Sequence, residues 1–232
     1  MALVVYSGPV GGLSGSAGGN TYARNRFGYY VRNRTRPVNP NTARQNTVRQ
    51  ALAELTQRWS QVLTSAQRDA WNLYGQNTLM TNRLGAPIHP TGFNHYLRSN
   101  IPALQAGLDV VDDGPTIFEL PEQDSSLAVT ASEATQKISV AFNDALDWAN
   151  EDDGAMITYG GSPRNAQRGF FAGPYRFMDV IAGAALAPPA TPDVEDSPFA
   201  ITQGQRLWVQ ARIRRADGRL SGPMQADCFC GA

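Results

Sequence analysis

The chain changes its hydrophobic period twice. Residues 7–20, SGPVGGLSGSAGGN, offer almost no side chain able to build a core, so this stretch is expected to be flexible by itself. Residues 21–38, TYARNRFGYYVRNRTRPV, then interleave Tyr22, Phe27, Tyr29, Tyr30 and Val31 with five arginines, and the Thr, Tyr and Val content favours an extended backbone. Helical signals begin at Asn39-Pro40-Asn41-Thr42, a cap with a proline suited to the first turn. Apolar Val48, Leu52, Leu55, Trp59 and Val62 follow on one helical face. Thr64-Ser65-Ala66-Gln67 has the spacing of a capping box and opens a second short helix, with Ala70, Trp71 and Tyr74 inward and Gly75 as its end. A third helix is predicted over Gly92 to Asn100, where Phe93, Tyr96 and Leu97 share a face and Pro102 limits extension.

From about residue 125 the period becomes two. Residues 127–131, 137–142, 155–159, 175–181 and 207–213 read as short strands separated by Gly, Pro and Asp clusters, and a last strand ends near Phe229. Ala216-Asp217-Gly218-Arg219 is the turn of a closing hairpin, and residues 183–198, GAALAPPATPDVEDSP, read as a proline-rich loop. The fold class that follows is α+β: an extended N-terminal arm and short helices followed by an antiparallel β-sandwich. Its divisions are an arm over 1–38, a helical docking region over 39–108, a linker over 109–124 and the sandwich over 125–232.

With 232 residues, 42% of them hydrophobic, the chain can bury at least one sizeable core. The start has neither the positive charge nor the apolar length of a secretory signal. No later segment is long and apolar enough to span a bilayer, so no membrane partner is expected. Charge changes the picture more than composition does. Residues 1–100 carry eleven Arg against Glu54 and Asp69, net +9, whereas residues 101–232 carry eight Arg and Lys137 against eighteen acidic residues, net −9. Such polarity steers a molecule toward head-to-tail contacts or a charged partner, and a homo-oligomer is the expectation. Nineteen of the twenty basic residues are Arg, whose planar fork suits fixed carboxylate or phosphate contacts.

The residues give little purchase to catalysis. The glycine-rich stretch lacks the Gly-Lys-Ser/Thr ending and the G-x-G-x-x-G spacing of phosphate cradles. His89 and His95 have no nucleophile and orienting acid beside them and are expected on a loop and a helix surface. Together with Cys228 and Cys230 they lie in different segments, so no metal site is expected, and the two cysteines are too close in sequence for a comfortable mutual disulfide. Counting back from Gly154 places Glu151 third but Gly160 twelfth, which fails the calcium-loop pattern. The expectation is a protein that is not an enzyme and has no catalytic residues, cofactor or metal.

The arm carries the functional pull. Tyr22, Arg24, Arg26, Phe27, Tyr29, Tyr30, Arg32, Arg34 and Arg36 are the candidate partner-binding residues, with arginines gripping anionic groups and rings serving as apolar anchors. The same pattern could stack and neutralise single-stranded nucleic acid. Protein is the favoured partner because the acidic second half would repel a polyanion.

Residues 18–72, from GGNTYARNRFGYYVRNRTRP to LTSAQRDAWN, and residues 91–108, TGFNHYLRSNIPALQAGL, resemble small proteins encoded among the structural genes of tailed bacteriophages and prophages. The ending QRLWVQARIRRADGRLSGP is similar to the closing hairpin of fibronectin type III or immunoglobulin-like sandwiches. The resemblance implies a virion structural protein made in the host bacterial cytoplasm. As a head decoration or cement protein it would grip the major capsid protein or other virion subunits through its arm. A tail, baseplate or connector component is the alternative, and a nucleic-acid-binding protein the second.

Overall fold

The computed structural model describes residues 2–5, 9, 11–36, 38–82 and 84–232. Met1, Tyr6, Ser7, Gly8, Val10 and Pro37 of the expected arm, and Arg83, lie outside the described residues. Among the described residues the architecture is α+β, with three helices and three sheets.

The first sheet falls in the expected arm and corrects it. Strands β1 (Ala2–Val4), β2 (Gly15–Ala17), β3 (Asn20–Asn25) and β4 (Gly28–Asn33) pair with one another in the order β1-β4-β3-β2, all antiparallel, instead of lying extended and alone. The cause is turn chemistry. Gly18 and Gly19 adopt φ of +55° and +79° between the paired residues Ala17 and Asn20, a two-residue turn open to glycine at both positions. Asn25 pairs with Gly28 across a tip made of Arg26 and Phe27, and Asn25 Oδ1 accepts the Phe27 N–H at 2.9 Å.

Helices α1 (Ala43–Gln61) and α2 (Ser65–Asn77) each start on a complete capping box. Thr42 and Gln45 exchange bonds of 3.3 and 3.2 Å, and Thr64 and Gln67 exchange bonds of 3.2 and 2.9 Å. Thr42, not the Asn39-Pro40 pair, is therefore the cap residue of α1. A short hairpin, β5 (Met80–Thr81) with β6 (Pro87–Ile88), leads to α3 (Gly92–Gln105), which runs past Pro102 into one further turn. Leu55, Leu63, Trp71, Tyr74 and Tyr96 form the helical core. The α1 stripe is covered along part of its length only. Ala51 and Leu55 are buried, but Val48 and Leu52 remain 41% and 43% exposed.

Gly92 is the tightest contact in this unit. A Cβ there would come within 2.5 Å of the backbone of Trp71 and Asn72, so α2 and α3 approach closely because the side chain is missing. Gly92→Ala is expected to lower stability by about 1–3 kcal/mol through forced separation of the helices. A fall in Tm with an unchanged far-ultraviolet spectrum checks this, and an unaltered Tm contradicts it.

The large sheet comprises β7 (Ala128–Ser132), β8 (Lys137–Ala141), β9 (Ala155–Gly161), β10 (Tyr175–Ala182), β11 (Asp193–Asp196), β12 (Arg206–Arg214) and β13 (Met224–Gly231). Its order is β10-β9-β12-β13-β7-β8-β11, antiparallel except where β13 runs parallel to β7, and the edge strands β10 and β11 come into contact so that the sheet nearly closes on itself. Alternate residues point inward: Leu207, Val209, Ala211 and Ile213 of β12 meet Ile138 and Val140 of β8 with Trp148 and Met156 in a second core. Strand β11 arises inside the segment expected to be a proline-rich loop.

Residues 109–124, expected as a linker, form neither helix nor strand but are fixed from both sides. Asp112 accepts two bonds of 2.7 Å from Arg58 and one of 3.2 Å from the Tyr96 hydroxyl, and its carbonyl accepts the Trp71 indole N–H at 2.9 Å. Asn100 exchanges bonds of 3.0 and 2.9 Å with the Val111 backbone. On the other side, Arg214 reaches the Asp109 carbonyl at 2.7 Å, and Arg98 of α3 reaches the carbonyls of Leu220 and Ser221 at 2.5 and 2.6 Å. Burial and the neighbouring Arg212 pull Arg98 down to about 10. The helical unit and the large sheet are thereby tied into one body.

Candidate partner-binding surface

Cross-strand register and position along the hairpin sort the nine arm residues into four groups. Tyr22, Arg24, Tyr29 and Val31 are on one face of the small sheet, since Tyr22 pairs with Val31 and Arg24 with Tyr29. Tyr30 and Arg32 are on the other, opposite Ala23 and Thr21. Arg26 and Phe27 occupy the hairpin tip, and Arg34 and Arg36 follow β4, where the Arg34 N–H still bonds the Gly19 carbonyl at 2.7 Å. A single gripping face made of all nine residues therefore does not form, because a two-residue side-chain period divides them.

What is brought together is specific. The Arg24 guanidinium lies 5.2 Å from the Tyr29 ring centre, and that of Arg26 lies 5.9 Å from Phe27. Gly12 lies against Tyr29, where a Cβ would come within 2.6 Å of the hydroxyl and 2.8 Å of the ring. A cleft of about 350 Å³ runs between this sheet and the β5–β6 turn, lined by Leu3, Val4, Val5, Phe27, Tyr29 and Leu84 among others. Among the described residues, Arg24, Arg26, Arg32, Arg34 and Arg36 are all exposed and none joins an ion pair, while no residue of 2–36 belongs to either hydrophobic core. The sheet thus has a shape of its own but contributes to neither core, and it displays arginines that no carboxylate pairs among the described residues.

Sequence reasoning missed a second arginine–aromatic cluster. Arg206 lies 5.3 Å from the Trp208 ring and 5.4 Å from Phe229, Arg164 lies 5.4 Å from Phe171, and Phe171 stacks on Trp208 at 5.6 Å. Phe170 and Phe229 remain 68% and 58% exposed beside it. Asp227 holds Arg206 at 2.6 Å, so this cluster is partly neutralised in a way the small sheet is not. Its members come from three separate segments, 164–171, β12 and β13, and no local pattern announces them.

The histidines are corrected in part: His89 is exposed, but His95 is fully buried against Tyr74, with ring centres 4.9 Å apart. Burial lowers His95 to about 4, which keeps the ring neutral at physiological pH. Glu151 of the acidic turn is engaged by Arg215 at 2.6 and 2.9 Å, and Asp152 caps the Ala185 N–H at 3.0 Å. Among the described residues no three His, Cys, Asp or Glu side chains converge as a metal would require. Cys228 and Cys230 are free, and burial raises the Cys228 thiol to about 11. Among the described residues no helix is long and apolar enough to cross a membrane.

No family model and no curated protein matches the chain. Among solved structures, a Fn3-like protein from Clostridium thermocellum is similar over 48% of this chain and 95% of its own, at 14% identity and a TM-score of 0.29.

Proposed function

We propose that this chain is a virion structural protein of a tailed bacteriophage, most specifically a head decoration subunit that docks on the capsid through its basic four-stranded sheet. The observation that carries this reading is the sheet and the residues that follow it: five exposed arginines without an ion pair among the described residues, on a segment that belongs to neither core. Side chains of this kind acquire partners by docking, and Arg suits carboxylates on a protein neighbour. The body behind it, cross-tied through residues 109–124, supplies a rigid platform. The large sheet is read as a fibronectin type III or immunoglobulin-like sandwich, with β7, β8 and β11 facing β10, β9, β12 and β13 across one core. That domain would face solvent or a neighbouring copy.

Counting copies in purified particles tests the head assignment. Hundreds per virion are expected; a ring-sized number would move the protein to tail, baseplate or connector. For the sheet, Arg24→Glu, Arg26→Glu and Arg32→Glu together should abolish co-sedimentation with particles. If that triple variant still binds particles but loses affinity for single-stranded oligonucleotides, with a steep salt dependence in the wild type, the nucleic-acid reading replaces this one.

A further inference from the structure

Where the two edges of the large sheet meet, a glutamate is buried without a cation. Glu195 of β11 is 1% exposed and Thr158 of β9 is fully buried, and the Thr158 Oγ1 lies 2.6 Å from Glu195 Oε2. The same hydroxyl lies 3.1 Å from the Asp179 carbonyl and accepts the Asp179 N–H at 3.2 Å. Glu195 Oε1 is buried and has no hydrogen-bond partner among the described residues.

The hydrogens can be counted. A threonine hydroxyl has one proton, yet two oxygens, the Asp179 carbonyl and Glu195 Oε2, lie within its reach. If Glu195 is ionised, one of them goes without, and a full charge sits buried with no cation bonded to it among the described residues. With Glu195 protonated, its O–H donates to Thr158 Oγ1 and Thr158 donates to Asp179, so every hydrogen finds an acceptor. Neighbouring charges agree. Asp179 on β10 and Asp193 on β11 are carboxylates, Lys137 on β8 is committed to Asp196 at 2.9 Å, and Thr158 on β9 is neutral.

We infer that Glu195 is held in the folded chain as a neutral carboxylic acid latching edge strand β11 to β9 and β10, and that removal of its proton releases this seam. Burial, reinforced by Asp193 and Asp179 and opposed by the Thr158 bond, raises the carboxyl to about 7, above its ordinary 4.5. The folded state thus binds the proton more tightly than the open one. Stabilisation is complete below about 4.5, declines as pH rises toward 7, and is spent above it. Four residues long and paired through β8 alone, β11 is the element that would yield, and its release would bare the β8 edge, the kind of backbone row that recruits a further strand.

Amide hydrogen exchange of residues 193–196 against pH, corrected for the intrinsic exchange rate, tests the latch on the full-length chain. Opening should rise roughly tenfold per pH unit between 5 and 7 and level off above 7, while Glu195→Gln should flatten the dependence. A parallel ¹³C titration of the wild-type glutamate carboxyls needs no variant and should show one midpoint near 7. A midpoint below 5, or the same pH dependence across the whole sheet, would overturn the latch.

Discussion

Deleting residues 1–36 is expected to leave the rest of the chain folded, with a Tm within a few degrees of the wild type, while attachment to particles falls below detection. The structural half of that expectation rests on the cores: neither hydrophobic cluster contains a residue from the small sheet, and the bonds tying helices to the large sheet all start at Arg58 or later in sequence. Removing an element that shares no core costs the remainder little. The functional half rests on charge. Residues 1–53 contain seven arginines and no acid, so the deletion takes away five of the eleven positive charges in the first hundred residues. Differential scanning calorimetry and co-sedimentation at two salt concentrations separate the halves. Collapse of the Tm would place the sheet in the body's own fold, and attachment at full strength would leave the arginines without a role.

The fate of that arm shows how far the sequence could be read. Its alternation of Tyr, Arg and Val correctly indicated extended backbone, but extended strands need partners, and the partners proved to be one another. The signal was there in Gly18-Gly19, a two-residue turn between alternating segments, yet six glycines within residues 7–20 read more readily as flexibility. Helix starts were legible because a capping box is a local device, complete within four residues at Thr42 and at Thr64. Strands with apolar residues at every second position were legible for the same reason. Strand β11 was not, since DVED puts three acids in four residues and its one inward side chain is a glutamate. Burial of His95 and Glu195, and the anchoring of 109–124 through Asp112, depend on neighbours between 16 and 54 residues away. No window along the chain contains such information. The five arginines among the candidate residues are exposed, but the division of the strand residues between two faces follows from register, which turn geometry decides.

The largest loss of stability is expected at Trp71, where four parts of the chain meet. Its fully buried indole touches Tyr74 and Tyr96 edge-on, at ring-centre distances of 5.9 and 5.6 Å, and packs in the cluster with Leu55 and Leu63. The indole N–H holds the Asp112 carbonyl at 2.9 Å, Gly114 lies against the Trp71 backbone, and the far edge of the ring faces Gly218 in the closing hairpin of the large sheet. Trp71→Ala therefore opens a cavity at the joint between α1, α2, α3 and the 109–124 segment and orphans a carbonyl, with an expected cost of about 3–5 kcal/mol. Trp71→Phe keeps much of the packing and loses the hydrogen bond, so it should cost less, about 1–3 kcal/mol. The two variants differ in a second respect. If Trp71 couples the helical unit to the sheet, Trp71→Ala should split a single denaturation transition into two, the helices unfolding first. In a Trp59→Phe background, Trp148 and Trp208 report the sheet by fluorescence while circular dichroism reports the helices, and coincident transitions in Trp71→Ala would show that Arg98 and Arg214 hold the two units together without it.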